Sequence, residues 1–60
     1  MSNWKNVWLG DNELVLFFKN GTFHVIEKYE DYAEVFTGNY DQCIDYMNRR
    51  ELDYLMSMYA

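Results

Sequence analysis

The sequence predicts an α+β domain, an antiparallel β-meander of three to four strands followed by a C-terminal helix packed on one face. Three observations predict it. Leu14 to Lys28, LVLFFKNGTFHVIEK, joins two β-prone runs through Asn20-Gly21, and Asn-Gly tolerates the two positive φ angles of a two-residue type I′ turn. Further turn chemistry, Gly10-Asp11-Asn12 and Thr37-Gly38-Asn39, brackets the strands on either side of this hairpin. Beyond Asn39, Tyr40, Cys43, Ile44 and Met47 recur at spacings of three, one and three, which makes one apolar stripe on a helix.

Each element follows from those signals. Asn3 to Leu9 reads as a short first strand, with Trp4, Asn6 and Trp8 on one side and Lys5, Val7 and Leu9 on the other. In the central hairpin the turn sets Lys19 against Thr22, Phe18 against Phe23, Leu16 against Val25 and Leu14 against Glu27. One face therefore collects Leu14, Leu16, Phe18, Phe23 and Val25. The other carries Val15, Phe17, His24 and Ile26 beside Glu13, Lys19 and Lys28.

Ala33 to Thr37 is the next strand. A two-residue turn at Glu30-Asp31 would set Val35 against Ile26 and Phe36 against Val25, but would oppose Glu34 to Glu27 and so juxtapose like charges. A three-residue loop or bulge, setting Lys28 against Glu34 and Ile26 against Phe36, is the preferred register. Asn39 and Gln42 then suit a capping box, with Asp41 in the first turn and Asp45 four residues before Arg49. Continuing the stripe places Glu51 in its middle, so either the helix kinks or splits near Arg49-Arg50-Glu51 or the stripe leaves the sheet there. A second set, Leu52, Leu55, Met56 and Tyr59, lies on a rotated face. Such a segment must be buried, either over the sheet's second face or against a second subunit.

Size and charge bound the function. Sixty residues form a single domain, residues 1–60, which buries only about 60% of the surface its unfolded chain exposes. Small cores are commonly supplemented by disulfides, metals or association. The lone Cys43 excludes an internal disulfide and there is no Cys/His cluster for zinc, so association is expected, as a homodimer. No cofactor is expected. With neither a leader-like N-terminus nor a membrane-length apolar run, the chain reads as cytoplasmic. A net charge of −5 argues against nucleic acid or an anionic membrane as partner.

Catalysis has little to work with. His24 and Cys43 are expected on different sides of the sheet, out of reach of one another. Glu27, Glu30, Asp31 and Glu34 would need a concave, dry pocket to act as acid and base, and one sheet with one helix offers little room for one. Asp41 to Asp53 has neither calcium-loop spacing nor its central glycine.

The charge distribution points elsewhere. From Glu27 to Asp45 six acids stand against one base, a surplus equal to the whole chain's net charge of −5. Glu27, Glu30, Asp31, Glu34, Asp41 and Asp45 alternate there with Tyr29, Tyr32 and Tyr40. Carboxylates can steer a basic partner and aromatic rings can anchor it. The plainer reading is a solvated edge kept acidic against aggregation. Leu52, Leu55, Met56 and Tyr59 are the candidate self-association residues.

In its acidic turn and strand, YEDYAEVFTG, and its helix entry, NYDQCIDYMNRRE, the chain resembles the small, acidic, Tyr-rich sheet-plus-helix inhibitors that bacteriophages encode against host defences, anti-CRISPR proteins among them. The resemblance is one of architecture and carries over no specific motif. It implies a non-enzymatic inhibitor in the host cytoplasm that docks on a nuclease, helicase or other defence component and occludes its basic channel. The alternative from the residues themselves is a structural or regulatory homo-oligomerisation module whose acids serve only solubility.

Overall fold

Four antiparallel strands in the order β1-β2-β3-β4 and one C-terminal helix make up the computed structural model, which describes residues 5–59. The elements are β1 (Asn6–Leu9), β2 (Asn12–Lys19), β3 (Thr22–Glu27), β4 (Ala33–Gly38) and α1 (Tyr40–Met58). The predicted first strand began at Asn3. Asn3 and Trp4 lie outside the described residues, while pairing extends to Lys5, whose carbonyl accepts from the Leu16 amide.

The central hairpin has the expected register, from Leu14 opposite Glu27 to Lys19 opposite Thr22. Asn20 and Gly21 take φ of 53° and 78°, the positive pair that a type I′ turn requires. Leu14, Leu16 and Val25 are fully buried on the face shared with Val7, and Cys43 and Met47 close over them from the helix. Among the described residues no helix covers the opposite face, with Trp8, Val15, Phe17, His24 and Ile26.

The β3–β4 register corrects the preferred one. Phe36 sits opposite Val25, and Glu34 sits opposite Ile26, with the shift between Val25 and Ile26. One extra residue, Val35, is thus accommodated in a bulge. The bulge serves both halves of the strand: Phe36 joins the core-side face, and Glu34 escapes Glu27 to reach His24. The connection closes with Asp31 and Tyr32 both left-handed, at φ 57° and 56°. For residues with a Cβ that conformation costs on the order of 1–2 kcal/mol each.

The helix neither kinks nor splits. Asn39 and Gln42 make the reciprocal capping box, Gln42 N donating to Asn39 Oδ1 at 2.8 Å and Asn39 N to Gln42 Oε1 at 3.0 Å. Its inward line is Cys43, Met47, Arg50 and Tyr54, so Arg50 takes the place where the continued stripe put Glu51, and Glu51 turns outward. Tyr54 seats on the β1–β2 turn. A Cβ at Gly10 would lie 2.9 Å from Tyr54 Oη, and Gly10 itself has φ +69°, so glycine meets two needs there.

Candidate protein-binding site

α1 starts beside the Asn20-Gly21 turn, where Tyr40 meets Phe23 edge-on at 5.4 Å. It runs back along the sheet, so its second half arrives at the end that holds the β1–β2 turn and the β3–β4 loop. That direction decides which charges become neighbours.

The nine residues expected to form an acidic-aromatic face do not form one patch. Tyr29, Glu30, Asp31 and Tyr32 occupy the β3–β4 loop at one end, all exposed. Tyr40 and Asp41 stand at the other, about 20 Å away for six strand residues at 3.3 Å each. The remaining three acids are already engaged. Glu27 Oε1 accepts from Arg50 Nη2 at 2.7 Å, Glu34 Oε1 lies 2.8 Å from His24 Nδ1, and Asp45 accepts from Arg49 Nε at 3.1 Å.

Folding supplies replacements that the linear charge count missed. Asp11 in the β1–β2 turn and Glu51 and Asp53 on the helix come to the same end as Glu30 and Asp31. All five are exposed, and among the described residues none of them takes part in an ion pair. The bases at this end, Lys28 and Arg50, are committed to Glu13 at 3.7 Å and to Glu27. The last turn of the helix carries no basic residue, so its carbonyl end adds roughly half a negative charge to the same pole. Capping geometry and the turn residues could have revealed this pole, because together they set the helix direction.

Aromatic rings border the pole. Tyr32 is 64% exposed. Tyr29 stacks on Trp8 with centroids 6.0 Å apart, and Lys28 Nζ lies 5.4 Å from its ring. The Tyr29 amide donates to Asn12 Oδ1 at 3.1 Å, which ties the loop to the sheet. On the helix Leu52, Leu55, Met56 and Tyr59 are 56%, 43%, 61% and 86% exposed. They do not fold back over the sheet's second face.

Beneath this end Arg50 is clamped between Glu27 and Tyr46, whose hydroxyl oxygen accepts from Arg50 Nη1 at 2.7 Å. Burial works to lower the proton affinity of the guanidinium, but the hydrogen bonds to Glu27 and Tyr46 outweigh it and leave it raised. Tyr46 stacks on Phe36 at 4.8 Å.

The candidate nucleophile and base are apart, His24 on the open sheet face and Cys43 under the helix. His24 stacks on Phe17 at 5.0 Å and its Nε2 lies 3.3 Å from the Lys19 carbonyl. Burial pushes the Cys43 thiol up, away from the thiolate that reacts. A thiol reagent is expected to modify Cys43 at least about a hundredfold more slowly in the native protein than in denaturant, because reaction must await opening of the core. Rapid native labelling would show that the helix does not seal it. Among the described residues no three His, Cys, Asp or Glu side chains converge to hold a metal, and no helix is long and apolar enough to cross a membrane.

Comparison with protein-family models, curated proteins and solved structures finds no match to this chain.

Proposed function

We propose that the chain is a non-enzymatic binding protein that docks its acidic end on the basic surface of a nucleic-acid-handling protein and blocks it, in the manner of phage-encoded inhibitors of host defence. One observation carries this reading: Asp11, Glu30, Asp31, Glu51 and Asp53 share one end of the fold with the helix C-terminus and the exposed Tyr29 and Tyr32, and among the described residues no cation pairs with them. Unpaired like charges repel and destabilise the compact state, so their concentration at one end costs the free chain stability, and docking on a basic surface would relieve that repulsion. A basic groove that normally holds phosphates meets the same sign of charge here.

The test compares the chain with its Glu30→Lys/Asp31→Lys variant as immobilised baits in a bacterial lysate, followed by DNA-binding assays on any captured protein. The expected result is capture of a nucleic-acid-handling protein that is released as salt rises from about 0.15 to 1 M, where the screening length falls from about 8 to 3 Å. The wild-type chain then inhibits that protein stoichiometrically, and the variant binds at least about tenfold more weakly with its fold intact. Equal capture by both baits, or capture without inhibition, would count against the reading. A second reading, a homo-oligomerisation module, is favoured by the exposed Leu52, Leu55, Met56 and Tyr59. It requires self-association that serine substitutions there abolish and the loop reversals leave alone.

A further inference from the structure

We infer that the outward stripe Leu52, Leu55, Met56 and Tyr59 is the seat of a cationic amphipathic helix on the partner protein rather than of a second copy of this chain. This rests on the reading that the acidic end binds a basic protein, and it assigns the apolar half of that site. The inward line Cys43, Met47, Arg50 and Tyr54 fixes the helix phase, and at 100° per residue the four stripe residues fall on the opposite side. Their spacing of three, one and three forms a two-turn seam about 10 Å long at 1.5 Å per residue. Tyr54, seated on Gly10, holds this part of the helix to the sheet, so the seam is presented in a fixed orientation and little ordering is needed on binding.

Charge selects the occupant. Glu51 and Asp53 flank the seam on its two sides, in the places where flanking charges set partner choice between paired helices, and Asp11, Glu30 and Asp31 stand in the β1–β2 and β3–β4 connections at the same end of the fold. No base follows Arg50. If two copies paired along this seam, parallel or antiparallel, Glu51 and Asp53 of each would face those of the other. Sliding the pair to bring Arg49 opposite Asp53 would instead set the apolar seam against the charged Asp45 and Arg49. A helix with an apolar stripe and lysine or arginine at its flanks meets neither penalty, and it turns the carboxylates into partners.

The test uses synthetic helical peptides of roughly 15–18 residues, long enough to hold a helix. One carries leucines at i, i+3, i+4 and i+7 flanked by lysines, one is its scramble, and one has glutamates in place of the lysines. Fluorescence anisotropy is read against the full chain, with light scattering for mass. Expected are a single-chain mass, binding of the lysine amphipath at least tenfold tighter than its scramble, and no binding of the glutamate peptide. Leu52→Ser/Leu55→Ser is expected to weaken binding at least tenfold with an unchanged circular dichroism spectrum. Tyr59→Ser, beyond the last helical residue, gives a several-fold loss without altering the helix itself. A dimeric mass that the serines reduce to one chain would overturn the proposal in favour of a second copy. Binding unaffected by the serines, or equal for the scramble, would overturn it too. If Glu30→Lys/Asp31→Lys still abolished that binding, the acidic-end reading would stand and only the seam would fall. Failure of both cationic peptides to bind removes the seam proposal, while lysate capture tests the acidic end separately.

Discussion

Leu16→Ala should leave little folded protein at 37 °C. Leu16 is fully buried in a core that contains only six buried apolar residues among those described, Val7, Leu14, Leu16, Val25, Cys43 and Met47. Truncating such a leucine costs about 2–5 kcal/mol through lost transfer energy and the cavity left behind. A 60-residue chain at roughly 0.05–0.15 kcal/mol per residue has about 3–9 kcal/mol in total. At about 4–8 °C per kcal/mol for so small a domain, the midpoint should fall by roughly 8–40 °C or the cooperative transition should vanish. Thermal and urea melts followed by far-ultraviolet circular dichroism read this directly. Val15→Ala, one residue away on the face without a helix and only half-buried, should cost clearly less. Equal losses at the two positions would mean that the helix does not define the core side.

The same contrast between faces explains what could be read before folding. Asn20-Gly21 and the alternation around it determined the hairpin register because both are local and agree with one another. Asn39 and Gln42 were equally legible, since a capping box spans only four residues. A loop or bulge between β3 and β4 was legible from the clash of Glu34 with Glu27, but its position at Val35 was not, because that depends on Glu34 finding His24 and Phe36 finding the core across two strands. The helix phase went astray at one residue for a related reason. Arg50 is charged and reads as solvent-facing, yet Glu27, brought alongside by β3, makes an inward arginine favourable. That one pairing turns Glu51 outward. It also explains why the linear acidic run was a poor guide to the site: Glu27 and Asp45 pair with Arg50 and Arg49 and Glu34 is held by His24, while Asp11 and Asp53, which stand far from the run's centre, form no ion pair among the described residues at the end where the helix arrives.

Arg50→Ala should be the most damaging substitution outside the apolar core, costing about 1.5–3 kcal/mol, the range for hydrogen bonds to charged groups. The loss has two parts. Glu27, whose side chain is 16% exposed, loses its guanidinium partner and retains, among the described residues, the Asn12 Nδ2 donor at 3.4 Å. Tyr46 loses the guanidinium that bonds its hydroxyl and lies 5.7 Å from its ring. A double-mutant cycle with Glu27→Gln separates them: the coupling energy measures the ion pair, and the residue of the Arg50→Ala loss belongs to Tyr46 and to packing. Replacing both charges at once, Glu27→Leu with Arg50→Met, should recover much of the stability, because an apolar pair needs no desolvation of ions. If Arg50→Ala and Glu27→Gln were strictly additive, the 2.7 Å contact would contribute nothing to folding. The functional consequence runs the other way from the structural one. Arg50→Met frees Glu27 and adds a carboxylate near the acidic end, so a variant that melts earlier should hold a cationic peptide at least as tightly as the unaltered chain. A fall in affinity at a temperature where the variant is fully folded would show instead that Arg50 positions the binding end and that charge alone does not govern it.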